Sequence, residues 1–355
     1  MRHQKQLFAV ALALLVLSTG AIGAIGTVTA QEEPTAVSYP LTVTDATGEE
    51  VTIEAPPERV VTLAPSAAQT MFEIGAQKQV VATSARATYL DWDEEKAIIS
   101  GEKGFASTEK VVAQKPDLVL APDIISDKKV EQLRSVGLTV YNFRRATSLA
   151  DVVEKTRLTG KLVGRVKAAD ARADQMEKSL DIVRTAVEGT ERPTALYLLG
   201  GQFTAGENTF IDSVIETAGG TNVAAKAGIT GYEMISAEVV ANRSIEYIIV
   251  SNEAPQVVPN TEAYNNTYAV RHDQIIEVNA NYLNQPAPRT VQVVEDLAST
   301  WHPDAYESAL ESFAEGTTTE ATPETSAQTT HSKAPGFGPI VALIAIIGAM
   351  LVARE

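Results

Sequence analysis

The sequence predicts an α/β protein built of two similar lobes joined by one long helix, on three observations. Ser107 to Ala121 reads STEKVVAQKPDLVLA and Ser236 to Val250 reads SAEVVANRSIEYIIV, so a Ser, a Glu, a Val, an acidic residue and an apolar run recur without a gap. Strand-length apolar runs alternate with helices that stop at glycine. Val60 to Ala64 runs into a helix ending at Gly75, and Ala195 to Leu199 into one ending at Gly219-Gly220. Between the two halves, Ser148 to Glu188 holds no proline and carries apolar residues at helical spacing. Strand–helix alternation builds parallel sheets. The expected fold is therefore two Rossmann-like lobes on a long backbone helix, with a ligand cleft between them, because clefts between domains are preferred places for small ligands.

Arg2 and Lys5 precede the apolar run Leu7 to Leu17, and small residues lead to Val28-Thr29-Ala30. Residues 1–30 read as a secretory signal, which places the mature chain outside the cytoplasm. Residues 31–58 form an N-terminal extension in which Leu41 to Val43 and Val51 to Ile53 alternate around Asp45 to Gly48, a hairpin pattern.

Residues 59–146 form the first lobe. After the strand at Val60 to Ala64, Ser66 with Gln69 three residues on has the pattern of a capping box for a helix that stops at Gly75. Gln79 to Ser84 is a strand. Ala85 to Ser107 has little periodicity and holds Arg86, Tyr89, Trp92 and Phe105; aromatics in a loop invite a binding role. In the repeated unit Ser107 caps a helix, Glu109 lies in its first turn where the helix dipole favours negative charge, and a buried strand follows. A helix from Asp127 to Val136, stopped by Gly137, and a strand from Leu138 to Phe143 complete the lobe.

Residues 147–190 are the helical connection, broken near Gly164. A helix from Val166 to Glu188 would be about 35 Å long, a stiff hinge permitting limited opening. Residues 191–313 form the second lobe: Phe203, the turn at Gly206 to Asn208, a helix from Phe210 to Ala218, an irregular segment from Ala227 to Met234 holding Tyr232, then the second copy of the repeat with Ser236 and Glu238. A strand from Ile275 to Asn279, a loop through Tyr282 and Pro286 to Pro288, and a last helix from about Thr290 to Thr300 finish it. Asn242-Arg243-Ser244 and Asn265-Asn266-Thr267 are glycosylation sequons. Residues 314–334, rich in Thr, Glu, Ala and Ser, cannot bury a core and read as a disordered stalk. Residues 335–355 begin Pro-Gly-Phe-Gly-Pro, continue as an apolar run near the lower length limit for a bilayer span, and close with Arg354 and Glu355, which reads as a transmembrane anchor on the outer face of the membrane.

Composition narrows the classes of function. The 355 residues are 45% hydrophobic, enough for two domains with real cores. A net charge of -16 argues against nucleic acid, whose phosphates need clustered Lys and Arg. The absence of cysteine excludes disulfides, thiolate metal sites and a lipid on an N-terminal Cys. A free Zn²⁺ or Mn²⁺ site would need several His, and the folded part offers His272 and His302, the latter better placed to end the final helix. No Gly-x-Ser-x-Gly and no phosphate-cradling Gly-Lys loop suggests an enzyme. A structural or adhesive surface protein would explain the stalk and anchor but leaves the doubled lobes without a purpose.

Val43 to Gly48, Pro57 to Ser66, Glu109 to Leu120, Phe203-Thr-Ala-Gly206, Thr217 to Gly220, Ser236-Ala-Glu238 and Pro288-Arg289 together resemble the solute-binding proteins of ABC importers for cobalamin, ferric siderophores and haem, from Tyr39 to about Phe313. The Pro-Gly-Phe tripeptide before an apolar terminus is similar to an archaeal surface-sorting signal, after which a lipid replaces the tail. The resemblance implies a monomer with no resident cofactor and no catalytic activity, which holds an iron chelate or corrinoid and delivers it to a permease dimer with its ATPase subunits. It implies that Glu109 and Glu238 dock on basic residues of the permease. It offers Arg86, Tyr89, Trp92, Phe105, Phe203, Tyr232 and Tyr282 as ligand contacts, with Tyr232 where cobalamin binders often place an aromatic. Arg289 is expected to anchor the Pro288 turn. Ala85 and Arg86 stand where an aromatic would follow the first-lobe strand, which favours an anionic iron chelate over cobalamin.

Overall fold

The computed structural model describes residues 37–100, 106–253 and 258–319. The signal segment, Phe105, most of the stalk and the C-terminal anchor lie outside the described residues. Among the described residues no helix is long and apolar enough to cross a membrane. The chain divides into two compact units: one runs to Arg145 and includes Val152–Asp174, the other comprises Ala146–Asp151 and the residues from Gln175 on.

The first unit opens with the expected hairpin, β1 (Leu41–Thr44) and β2 (Glu50–Ile53), antiparallel with Leu41 opposite Ile53. Its apolar face, including Val51 and Ile53, enters the core beneath the main sheet. Five parallel strands make that sheet: β3 (Val60–Thr62), β4 (Val80–Thr83), β5 (Ala97–Ile98), β6 (Leu118–Ala121) and β7 (Val140–Asn142), in the order β5-β4-β3-β6-β7. β3 and β6 are buried along their whole length, which is why they read as unbroken apolar runs rather than alternating ones.

Asp45 ties the hairpin to this sheet. Its buried carboxylate pairs with Arg134 and accepts hydrogen bonds from Thr47 and, at 3.0 Å, from the Asn142 amide at the end of β7. Burial alone would raise its pKa; the hydrogen bonds from Thr47, Asn142 and Arg134 outweigh that and hold it below the usual carboxylate range. A folded-state pKa below the unfolded one gives stability that is present above the unfolded value, near 4, and lost as pH falls through the folded value. Asp45→Asn is expected to destabilise this unit by about 2–3 kcal/mol at neutral pH and to flatten the fall of melting temperature on acidification below about pH 4, measured by thermal denaturation across pH.

The helix Pro65–Glu73 forms, but not by the expected capping box. Proline occupies its first position, Ala64 is the N-cap with no side-chain bond, and Ser66 and Gln69 are buried inside the helix. Gln69 instead donates to the Tyr89 hydroxyl at 2.7 Å. The connection is broken where expected: helices span Leu149–Leu162 and Val166–Val187, with Gly164 at φ 69° between them. Gly160 lets the two helices cross tightly, since a Cβ there would lie 2.2 Å from that of Ala169.

The second unit is a four-stranded parallel sheet: β8 (Thr194–Leu198), β10 (Thr221–Asn222), β12 (Tyr247–Ser251) and β13 (Ile275–Val278), in the order β10-β8-β12-β13. The segment expected to be irregular contains β11 (Tyr232–Met234), paired antiparallel with β9 (Phe203–Ala205) so that Met234 lies opposite Phe203. A helix at Thr290–Trp301 closes the sheet as expected, with His302 as its C-cap. A further helix, Pro303–Thr319, was not expected and reaches into the segment read as stalk. Its Ala309, with Tyr306, Leu310 and Phe313 beside it, packs on Ile182 and Ala186. Those apolar positions three and four apart are its helical signal.

Candidate functional site

Open α/β sheets bind ligands beyond the carboxyl ends of their strands, where the strand order reverses direction. In the first unit the chain steps from β3 out to β5 and then crosses to β6, so the reversal lies between β3 and β6. In the second it steps from β8 to β10 and crosses to β12, so the reversal lies between β8 and β12. Of the expected ligand-contact residues that are described, Arg86, Tyr89 and Trp92 follow β4, Phe203 follows β8, Tyr232 lies on β11 and Tyr282 follows β13.

In the first unit Arg86 follows β4, is exposed, and makes no hydrogen bond to a described residue. Tyr89 is half-buried with its hydroxyl engaged by Gln69. Trp92 is held for packing: its Nε1 donates to the Ala87 carbonyl at 3.2 Å, its ring meets Phe72 edge-on at 5.6 Å, and Lys96 Nζ lies 5.7 Å from its centroid. Trp92 thereby pins the 85–92 loop to the helix Pro65–Glu73. The sequence reading missed the segments after β6 and β7. Ile124 is 79% exposed, Arg145 pairs with Asp123 at 2.9 Å, and Arg144 is exposed. Their signal was position: a turn directly after a buried strand, carrying an exposed isoleucine or paired arginines.

In the second unit the chain turns sharply after β8, with the Leu199 amide donating to the Phe203 carbonyl at 2.8 Å, and returns as β9. Pairing with β11 brings Phe203 and Tyr232 into a stacked pair, centroids 6.5 Å apart at 23°. Tyr232 and Met234 are 46% and 61% exposed and Phe203 is half-buried, so the ribbon presents a partly exposed apolar surface. Beneath it Tyr197 is fully buried, and its hydroxyl meets Asn284 Oδ1 at 2.6 Å. Burial, the largest cause, keeps this phenol protonated far above its ordinary range, while the Asn284 bond works against the shift. Arg289 lies over the Tyr282 ring at 5.6 Å and occupies the N-cap of the helix Thr290–Trp301, the anchoring place expected for it.

The ribbon depends on Gly206, where a Cβ would lie 2.0 Å from the Ile229 carbonyl oxygen. Gly206→Ala forces backbone apart from backbone. It is expected to destabilise this unit by about 2–4 kcal/mol and to free the ribbon, seen as accelerated amide exchange at residues 203–206 and 230–234.

The two acidic residues occupy matching local structures. Helix Thr108–Ala113 is capped by Ser107, whose side chain accepts from the Lys110 amide at 3.4 Å; helix Ala237–Asn242 is capped by Ser236, accepting from the Val239 amide at 3.2 Å. Glu109 and Glu238 are each exposed in the first turn, and neither carboxylate makes an ion pair or hydrogen bond to a described residue. The strand that follows begins at the same spacing in both copies, β6 in one and β12 in the other. Among the described residues no group of three or more His, Cys, Asp or Glu could hold a metal ion.

A family model described as periplasmic binding protein matches residues 60–282. A protein of Halobacterium salinarum named cobalamin-binding protein is 37% identical over 331 residues, 90% of this chain and 90% of its own. An uncharacterized ABC transporter substrate-binding lipoprotein of Bacillus subtilis is 26% identical over 278 residues, covering 76% of this chain and 87% of its own. Among solved structures, the apo form of a periplasmic heme-binding protein from Roseiflexus matches with a TM-score of 0.61 at 26% identity, over 71% of this chain and 98% of that one.

Proposed function

The chain belongs to the periplasmic binding protein family, and from that premise we propose that it is the extracytoplasmic solute-binding component of an ABC importer that captures a corrinoid and delivers it to a permease. The observation that carries the reading is the partly exposed ribbon in which Phe203 stacks on Tyr232 beside Met234, a surface suited to the broad apolar face of a macrocyclic chelate. The relative named for cobalamin, similar along nearly its whole length, supports a corrinoid over the anionic iron chelate favoured by Arg86. Each unit offers its own candidate contacts: Arg86 and Tyr89 in the first, where Trp92 holds the loop in place, and Tyr282 and the ribbon in the second.

An iron chelate with carboxylates is the second reading, supported by Arg86 and Arg144, exposed guanidiniums that make no hydrogen bond to described residues at the ends of β4 and β7. Glu109 and Glu238 dock on the permease, and the apolar segment after Pro335-Gly336-Phe337 holds the protein at the outer face of the membrane. Cells deleted for this chain are expected to lose uptake of radiolabelled cobalamin at limiting concentration and to regain it on complementation. Unchanged uptake would overturn the assignment.

A further inference from the structure

At the other end of the second unit's sheet, by the amino ends of β12 and β13, lies a polar hollow of about 560 Å³. Its lining includes Arg243, Ser244, Asn266, Thr267, Tyr268 and Arg271. Tyr268 is 47% exposed and backed by His272, the rings stacked at 3.9 Å, so an aromatic face is held rigidly at the rim. The solute-binding reading uses none of these residues.

An acceptor motif, Asn265-Asn266-Thr267, borders the hollow: Asn266 and Thr267 line it and Asn265 directly precedes them. Asn265 ends the short helix Glu262–Asn265 and is exposed, with Nδ2 donating to Asn260 Oδ1 at 2.9 Å. An amide nitrogen has two hydrogens, so substitution of one leaves the other for Asn260. The Thr267 hydroxyl donates to the Tyr264 carbonyl at 2.7 Å and caps the next helix by accepting from the Val270 amide at 3.3 Å. The hydroxyl that the motif requires is thus committed once this turn has closed.

We propose that Asn265 bears an N-linked glycan whose first sugar lies in this hollow, against the face of Tyr268 and within reach of Arg243, Ser244 and Asn266. The modification joins Asn265 Nδ2 to the anomeric carbon of a lipid-phosphate-linked oligosaccharide. The carbon–oxygen bond to phosphate breaks, the lipid phosphate leaves with that electron pair, and one amide proton passes to a base. Transfer takes place on the exported chain before the Thr267 turn closes. The hollow has the volume of a small-molecule site and is polar with one aromatic wall, which suits a sugar: its hydroxyls need partners and its C–H face packs on a ring. The second motif, Asn242-Arg243-Ser244, places its acceptor four residues after Glu238 on the same helix face and is not included.

Glycopeptide mass spectrometry of the full chain purified from its native membrane tests the assignment. The peptide containing Asn265 is expected to carry a sugar mass that disappears in Asn265→Gln and persists in Thr267→Ser, which keeps the motif. Amide exchange at residues 266–271 is expected to be slower in the glycosylated chain than in Asn265→Gln, while calorimetric affinity for cobalamin is equal in both. An Asn265 peptide found only at its unmodified mass overturns the glycan, and equal exchange at 266–271 overturns its seating on Tyr268.

Discussion

Replacing Glu109 and Glu238 together by alanine is expected to abolish delivery while leaving capture intact. Each carboxylate is exposed and makes no ion pair or hydrogen bond to a described residue, so each is free to meet an arginine or lysine of a permease. Truncating one member of an interfacial charge pair costs at least about 2 kcal/mol, so the double variant would lose about a thousandfold in permease affinity. Among the described residues, what either side chain does for its own fold is complement a helix dipole, about 0.3–1 kcal/mol. Melting temperature and ligand affinity should therefore stay near the parent values while stimulation of permease ATPase falls to background. A double variant that still stimulates the ATPase normally would remove both residues from the docking surface.

Tyr232→Ala is expected to weaken chelate binding about thirtyfold, the cost of a central aromatic contact of about 2 kcal/mol. Phe203→Ala should act in the same direction. The two rings stack on one another, so the double variant should lose less than the sum of the singles, with a coupling of about 0.5–1.5 kcal/mol. Calorimetry on the four proteins of this cycle measures it. Both positions lie on a ribbon at the edge of the unit, so thermal stability should change little, unlike the outcome for Gly206→Ala.

Most of the architecture was legible because the signals were backbone signals. The repeated Ser-x-Glu units each became a capped helix leading into a buried strand, and Gly75, Gly137 and Gly164 stop helices at positive φ. The capping box at Ser66 failed because Pro65 claims the first helical position, moving the N-cap to Ala64. β11 was invisible because three residues preceded by Gly228 and Gly231 carry no period; its strand character comes from pairing with β9, a contact distant in sequence. The helix Pro303–Thr319 was overlooked because its polar Glu, Ser and Thr content resembles that of the stalk beyond it, although Tyr306, Ala309, Leu310 and Phe313 already mark one apolar stripe.

The candidate site was legible in residue type more than in role. Tyr232 and Phe203 were singled out separately, and only the ribbon shows them as one stacked surface. Trp92 was singled out as a loop aromatic and candidate ligand contact, and its ring and Nε1 also hold the loop, a packing role its local sequence does not mark. Ile124, Arg144 and Arg145 were passed over because nothing in their local sequence marks a site; their placement beyond β6 and β7 does.

Calorimetric titration of the exported chain with cobalamin, haemin and ferric siderophores tests the central claim most directly. A saturable one-to-one isotherm with cobalamin at micromolar affinity or tighter, with a negative heat-capacity change and weakened by Tyr232→Ala, is the expected result. No heat with any of the three chelates, or equal binding by the parent and the Tyr232→Ala variant, would contradict it.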